Sequence, residues 1–449
     1  NVEEQSVLTK VDVSDPIQGI EQGKYRILKA FDFQTSVKEL SKAYQEDNYF
    51  NYPLHYSSCK HCEFKTNKET QHLKSGFKEC FTKQMAWTEK EFNQPNAFEI
   101  WDFRSWKNLE ESQRLLLKDL DEADFGDEKP KAGKMSRVGR QLIQREKAIS
   151  NNTLPYDLKD ELREEMSTWQ YPLNFIDFET STSPLPFFSG QKPYEQVAFQ
   201  FSHHIYHKDG TIEHAAQYIN TTAGAYPNIE FLRALKKSLE KNEGSIFMYS
   251  NHENTIINHL VEQVYESDLL DRADLFAFGQ QISKSKEHSS IVNWKGYRAM
   301  IDLCKVIKDY YYNPYTKGSN SIKQVLPAVF ESSPFIRDKY SKPIGKINLN
   351  SLNFDKDKVW IKIIEGAVED PYKSLPKVFD DWDDDFETIS ELDDINNGGA
   401  ALTAYGKIQY TDMSHDERLK IKDALLRYCE LDTLAMVMIF EHLKELTEK

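Results

Sequence analysis

From Trp169 to the C-terminus, the spacing of apolar residues switches repeatedly between strand-like and helix-like. Leu173 to Phe178 is an apolar run of strand length, Val197 to Tyr206 is rich in β-branched and aromatic residues, and Ile212 to Ile219 can pair beside it. Three successive strands are therefore predicted. Asn228 to Leu239 reads as an amphipathic helix, Ile246 to Tyr249 as a buried strand, Thr255 to Val264 as a helix and Ile322 to Phe330 as an apolar helix. The last long segment, Glu417 to Leu446, places Leu425, Leu426, Leu434, Val437, Ile439 and Leu443 at helical spacing and should close the fold.

Upstream the pattern changes. Lys107 to Met166 reads as helices, first around Leu109, Leu115, Leu116, Leu117 and Leu120, then past a break at 130–134 into a basic stretch. Lys129, Lys131, Lys134, Arg137, Arg140, Arg145 and Lys147 stand there against Glu146, as a solvated connecting helix or a phosphate-contacting surface. Before Trp106, Cys59, Cys62 and Cys80 lie among Tyr52, Tyr56, Phe64, Phe77, Phe81 and Trp87. The chain thus divides into a Cys-containing lobe over 1–106, a helical connector over 107–168 and an α/β domain over 169–449. A solvated loop or insertion is expected near 380–399. No internal repeat is found.

Composition narrows the class. The 449 residues are 39% hydrophobic and 29% charged, with 18 Gly and 16 Pro, which excludes collagen-like, linker-like and wholly disordered chains. No apolar run approaches 18 residues and the mean hydropathy is -0.66, so no membrane span is expected. Residues 1–10 have no apolar core of a signal peptide, and five Cys, an odd number, point to a reducing, cytoplasmic setting. The missing initiator Met points to a trimmed or partial chain. A net charge of -15 argues against nucleic acid at first sight, but nine acidic and no basic residues lie in 380–394. The acidity is partly local.

Asp177 and Glu179 end the first predicted strand. Two apart on a strand, they share a face with an offset of about 6.6 Å. Buried together they would repel, unless a cation compensates them. Exposed, they would be an ordinary acidic strand end. Tyr428 and Asp432, four apart on the last helix, share a face with Cβ atoms roughly 5–6 Å apart. That spacing is common on helix surfaces.

Together, Asp177-Phe-Glu-Thr180 on a first strand, the antiparallel strands that follow and Tyr428-x-x-x-Asp432 on the last helix resemble the DEDD superfamily of ribonuclease H-like 3′-to-5′ exonucleases, tyrosine subtype. The resemblance implies a ribonuclease H-like mixed sheet with flanking helices and two Mg²⁺ or Mn²⁺ ions. It makes Asp177, Glu179, Asp432 and a fourth acid the metal ligands, with Tyr428 orienting the attacking water. Glu253 is the natural fourth acid. Here the family pattern has Asp with an Asn four residues earlier, where this chain has Glu253 and Tyr249, so Asn251, His252 and Asn254 stay as alternatives. Carboxylates suit hard ions such as these, and such a pair can activate water at a phosphodiester.

A wider match runs through Tyr171 to Thr180, Phe199 to His203, Gly318 to Lys323 and Tyr428 to Thr433. It resembles an uncharacterised bacterial family in which a RecB-like nuclease region with a cysteine cluster precedes a ribonuclease H-like domain. This implies that the first lobe is the tail of an upstream nuclease region. In such proteins a [4Fe-4S] cluster takes one Cys far upstream and three downstream.

Other candidates keep two readings. The amides after Gly318, with Ser321 and Lys323, can hold a substrate phosphate, or the Gly can serve a turn and the Ser a helix cap. Asp302 lies on a plausible pocket rim or is structural. The cluster His203, His204, His207 and His214 falls in the strand pair and reads as packing or surface histidines rather than as a metal site, and Cys304 and Cys429 read as core thiols. Cys59, Cys62 and Cys80 are three ligands of a structural Zn²⁺ or an iron-sulfur cluster, whose fourth ligand is unknown; His55, His61 or His72 could complete a zinc site. The expected function is metal-dependent 3′-to-5′ hydrolysis of single-stranded DNA or RNA. The rival is a catalytically silent nucleic-acid-binding or scaffold module.

Overall fold

The computed structural model describes residues 10–25, 32–47, 54–67, 70–285, 293–364, 367–379 and 395–449. The acidic stretch 380–394 lies outside them. The chain folds as two compact units, Asn1–Asp127 and Glu128–Lys449. Residues 107–168 are shared between the two.

The first unit is built around rings. Tyr56, Phe77, Phe81, Trp87 and Phe98 are buried, with centroids 4.6 Å apart for Phe77 and Phe81 and 4.9 Å for Phe81 and Trp87. Aromatic side chains bury a large area per residue, which suits a small lobe. Leu109, Leu115 and Leu117 add an aliphatic patch.

The second unit is a mixed α/β fold. Helices α1 (Arg137–Ile149) and α2 (Lys159–Ser167) lead into β1 (Leu173–Ser181), β2 (Val197–Tyr206) and β3 (Ile212–Ile219). There follow α3 (Asn228–Leu239), β4 (Ile246–Met248), α4 (His252–Tyr265), α5 (Arg272–Ile282), β5 (Ile301–Asp302) and α6 (Leu303–Tyr310). The chain continues through α7 (Ile322–Ser332), α8 (Pro334–Tyr340), β6 (Leu349–Asn350) and α9 (Gly398–Tyr410) to α10 (His415–Glu448). The six-stranded sheet runs β5-β4-β1-β2-β3-β6. Antiparallel pairing joins β1 to β2 and β2 to β3, while β1–β4, β4–β5 and β3–β6 are parallel.

Alternation along β1 sorts its side chains into two cores. Leu173 and Phe175 enter the layer with α7, α8, α9 and α10, whereas Ile176 and Phe178 enter the layer with α3, α4 and α5. The same period carries Asp177 and Glu179 onto the α10 face. On β2 the register shifts opposite Glu179 and Thr180, with Gln200 facing Glu179 and Ala198 facing Thr180. Phe199 is the extra residue of this bulge. It lets Phe199 stack on Tyr405 at 3.8 Å while Gln200 next to it also faces α10, donating to the Leu425 carbonyl at 2.7 Å.

Helix α10 is set by its start and its apolar face. Ser414 Oγ accepts the Glu417 amide at 3.1 Å, with Asp416 and Glu417 in the first turn favouring the positive helix end. Leu425, Leu431, Leu434 and Phe440 are buried in the core below. Two expectations change. The connector's basic stretch does not simply face solvent, because Arg140 of α1 is buried and donates to the carbonyls of Ile307 and Tyr311 and to Asn320 Oδ1. The expected loop near 380–399 ends in helix, since Asn397 Oδ1 accepts the Ala400 amide at 2.9 Å and α9 begins at Gly398.

Candidate metal centre

The end of β1 and the middle of α10 place three carboxylates together. One oxygen each from Asp177, Glu179 and Asp432 lies within 4.8 Å of the other two. Glu179 and Asp432 are buried and Asp177 is half-buried. Tyr428, one turn before Asp432, is buried beside them.

Glu253 sits at the second position of α4, 2% exposed, with its Oε2 lacking a hydrogen-bond partner. Its charge acts on Asp177 and Glu179, although it is not one of the three whose oxygens converge. The neighbouring alternatives are occupied elsewhere. Asn251 Nδ2 donates to Thr255, Asn254 bonds both the carbonyl and the amide of Lys284, and His252 Nε2 lies 3.1 Å from Thr180 Oγ1.

Burial and mutual repulsion act in the same direction on these acids. Burial first, then the charges of Asp432, Glu253 and Glu179, hold the Asp177 carboxyl well above its ordinary range. Burial first, then Asp432, does the same to Glu179. Burial pushes Glu253 up to about 8, and Asp302 and Asp432 add to it. Asp432 is also raised by burial, against the opposing pull of Lys323, Tyr372 and Tyr428. A cluster of this kind gains stability from any cation that enters it.

Lys323 of α7 brings one positive charge. Its Nζ donates to Tyr428 Oη at 2.8 Å and to the Asn396 carbonyl at 3.0 Å, and lies 4.7 and 4.9 Å from the ring centroids of Tyr428 and Tyr372. Burial lowers its pKa while the acids oppose that shift. Ser321 is exposed at the start of α7, where its carbonyl receives the Gln324 and Val325 amides.

Two contacts were not anticipated. Tyr372 is fully enclosed and its hydroxyl donates to Asp432 Oδ1. Cys429, expected as a core thiol, also donates weakly to Asp177 Oδ2 at 3.5 Å. Its place next to Tyr428 was a usable signal; Tyr372, sixty residues from Asp432, carried none. Asp302 accepts the amides of Ser250 and Lys305, so it caps α6 and pins the end of β4.

In the first unit, Cys59 ends a short helix, Cys62 follows it and Cys80 lies on the helix Gly76–Met85. All three are half-buried. Burial pushes the Cys59 thiol up to about 11, with Cys62 and Cys80 adding to the effect. Among the described residues, the sulfurs of Cys59, Cys62 and Cys80 are not among the groups that converge as metal ligands.

Residues 174–321 match the family model of a domain of unknown function (DUF2779). That span contains Asp177, Glu179 and Glu253, while Lys323, Tyr428 and Asp432 lie beyond it. No curated protein and no solved structure matches the chain. Among the described residues, no helix is long and apolar enough to cross a membrane.

Proposed function

We propose that this chain is a ribonuclease H-like, divalent-cation-dependent 3′-to-5′ exonuclease that hydrolyses phosphodiester bonds of single-stranded DNA or RNA. The observation that carries this reading is the convergence of Asp177, Glu179 and Asp432 in a buried site beside Tyr428. Asp177, Glu179, Asp432 and the nearby Glu253 would hold two Mg²⁺ or Mn²⁺ ions, which supply Lewis acidity and positive charge at a phosphodiester. The donor set fits such ions, since it is all oxygen and its four acids outnumber the one positive charge that Lys323 brings.

The remaining side chains have separable tasks. Lys323 donates to Tyr428 Oη and the phenol in turn bonds Asp432, which fixes it beside the acids, where it would orient an attacking water. Lys323 also offers charge to a non-bridging phosphate oxygen. Tyr372 and Cys429 hold Asp432 and Asp177 by one oxygen each, leaving the other oxygens for ligation.

Single-stranded DNA and RNA carrying a 3′ label, incubated with Mg²⁺, Mn²⁺ or EDTA, test this directly. Release of labelled mononucleotide with either metal and none with EDTA is expected. No release from either polymer under any metal condition would leave a binding or scaffold module as the better reading.

A further inference from the structure

A second polar cluster lies on the α10 face of the sheet, independent of the hydrolytic reading. His204 of β2 and His214 of β3 stack with ring centroids 4.6 Å apart and planes 10° from parallel. Both are enclosed, as is Glu430 of α10, whose Oε2 lies 3.0 Å from His214 Nδ1. One ligand atom from each of the three falls within 4.8 Å of the other two.

The outer nitrogens are already held. Ser202 Oγ lies 3.0 Å from His214 Nε2, Thr433 Oγ1 lies 2.7 Å from His204 Nδ1, and the two hydroxyls are 2.7 Å apart. Imidazoles that ligate a metal are typically fixed this way through the second nitrogen. The inner nitrogens are different. His204 Nε2 is buried without a hydrogen-bond partner. His214 Nδ1 faces a carboxylate oxygen while the Leu352 amide points at it from 3.4 Å. An acceptor lone pair suits the amide and clashes with the carboxylate, so either a proton or a cation must stand between Nδ1 and Glu430.

Glu430 is itself oriented for ligation. Its Oε1 accepts from Ser351 Oγ, and its Oε2 accepts the Asn353 amide at 3.2 Å and Asn353 Nδ2 at 2.8 Å. Ser351, Leu352 and Asn353 also line an open groove of about 860 Å³ between β3 and the 344–356 segment, so the partners of Glu430 stand between the enclosed cluster and solvent.

We propose that His204, His214 and Glu430 bind one Zn²⁺, a structural ion that ties β2 and β3 to α10. Two imidazoles and one carboxylate suit zinc, whereas the all-oxygen acid cluster suits Mg²⁺ or Mn²⁺.

Crystals of the full chain grown with equimolar Zn²⁺ and measured at the zinc edge would locate the ion. An anomalous peak about 2.0–2.1 Å from His204 Nε2 and His214 Nδ1 is expected. Peaks confined to the cysteines or to Asp177, Glu179 and Asp432, with His214 Nδ1 bonded to Glu430 by a proton, would overturn the proposal. In solution, His204→Gln and His214→Gln should each lose one equivalent of bound zinc and keep Mn²⁺ binding. Unchanged zinc content in both folded variants would contradict it. If neither variant folds, the map of the unaltered protein decides.

Discussion

Two buried polar clusters share one helix within four residues, and their internal accounts differ. Around Asp177, Glu179 and Asp432, like charges crowd together and Glu253 Oε2 is left without a partner. Around His204, His214 and Glu430 no like charges meet: two amides and a hydroxyl converge on the one carboxylate, and the atom left without a partner is a ring nitrogen, His204 Nε2. Stability alone would select the second arrangement over the first, because crowding several buried carboxylates against one lysine costs more than leaving one neutral ring nitrogen without a partner. Under the function proposed above, the difference assigns reaction chemistry to the acids and a fastening role to the imidazoles, which would hold α10 so that Tyr428 and Asp432 face β1.

Removing one atom from the acid cluster is expected to have the largest effect. Tyr428→Phe keeps the ring and removes the hydroxyl that Lys323 orients, so hydrolysis should slow by about 10²-fold while Mn²⁺ binding persists. Single-turnover rates beside a binding isotherm check this. A fully active variant would make the Lys323–Tyr428 contact incidental.

Acidification should strike the histidine side of the sheet. His203, on the opposite face from His204, bonds Ser238 and Asn174 and is held down at about 3 by burial. Its ordinary value is about 6.5, so the unfolded chain takes up a proton first as pH falls, and stability present above 6.5 is lost towards 3. This group alone should cost about 2 kcal/mol by pH 5. Denaturant titrations of the unaltered chain and of His203→Gln would show the slope, which should flatten in the variant. Equal slopes would mean that the ring is charged in the folded protein.

The smallest effect concerns the fastening network. Ser202→Ala removes a hydroxyl that touches both His214 and Thr433, at a cost of about 1 kcal/mol, without changing Mn²⁺ affinity. A large drop in that affinity would mean that the two clusters are coupled and that the contrast between them is too sharp.

The sequence carried the parts of this picture that depend on short-range period. Alternation places Asp177 and Glu179 on the face that α10 covers, and a spacing of four puts Tyr428 and Asp432 on one side of a helix. The strands Val197–Tyr206 and Ile212–Ile219 and the helix Asn228–Leu239 have the bounds that their patterns predict. The bulge at Phe199 was hidden, because β2 is buried on both faces along its whole length, so Gln200 and Ser202 do not mark an outer face and the change of face leaves no trace in the pattern. Tyr372 was hidden by distance along the chain. The histidines stand out in the sequence as a cluster in the strand pair, where packing or surface roles outweigh a metal site. His207 fits the surface reading through Glu213, but the meeting of His204, His214 and Glu430 depends on how α10 crosses the sheet.

The most direct test of the central claim is thermal unfolding of the full chain with and without Mn²⁺, measured also on Asp177→Asn. A ligand that binds only the folded form adds about 3 kcal/mol at a hundredfold excess over its Kd, so the melting temperature should rise by several degrees. In Asp177→Asn the metal-free protein should melt at or above the unaltered one, since a repulsive charge is gone, and the Mn²⁺-dependent rise should largely vanish. An equal rise in both proteins would contradict the account and remove Asp177 from the metal centre.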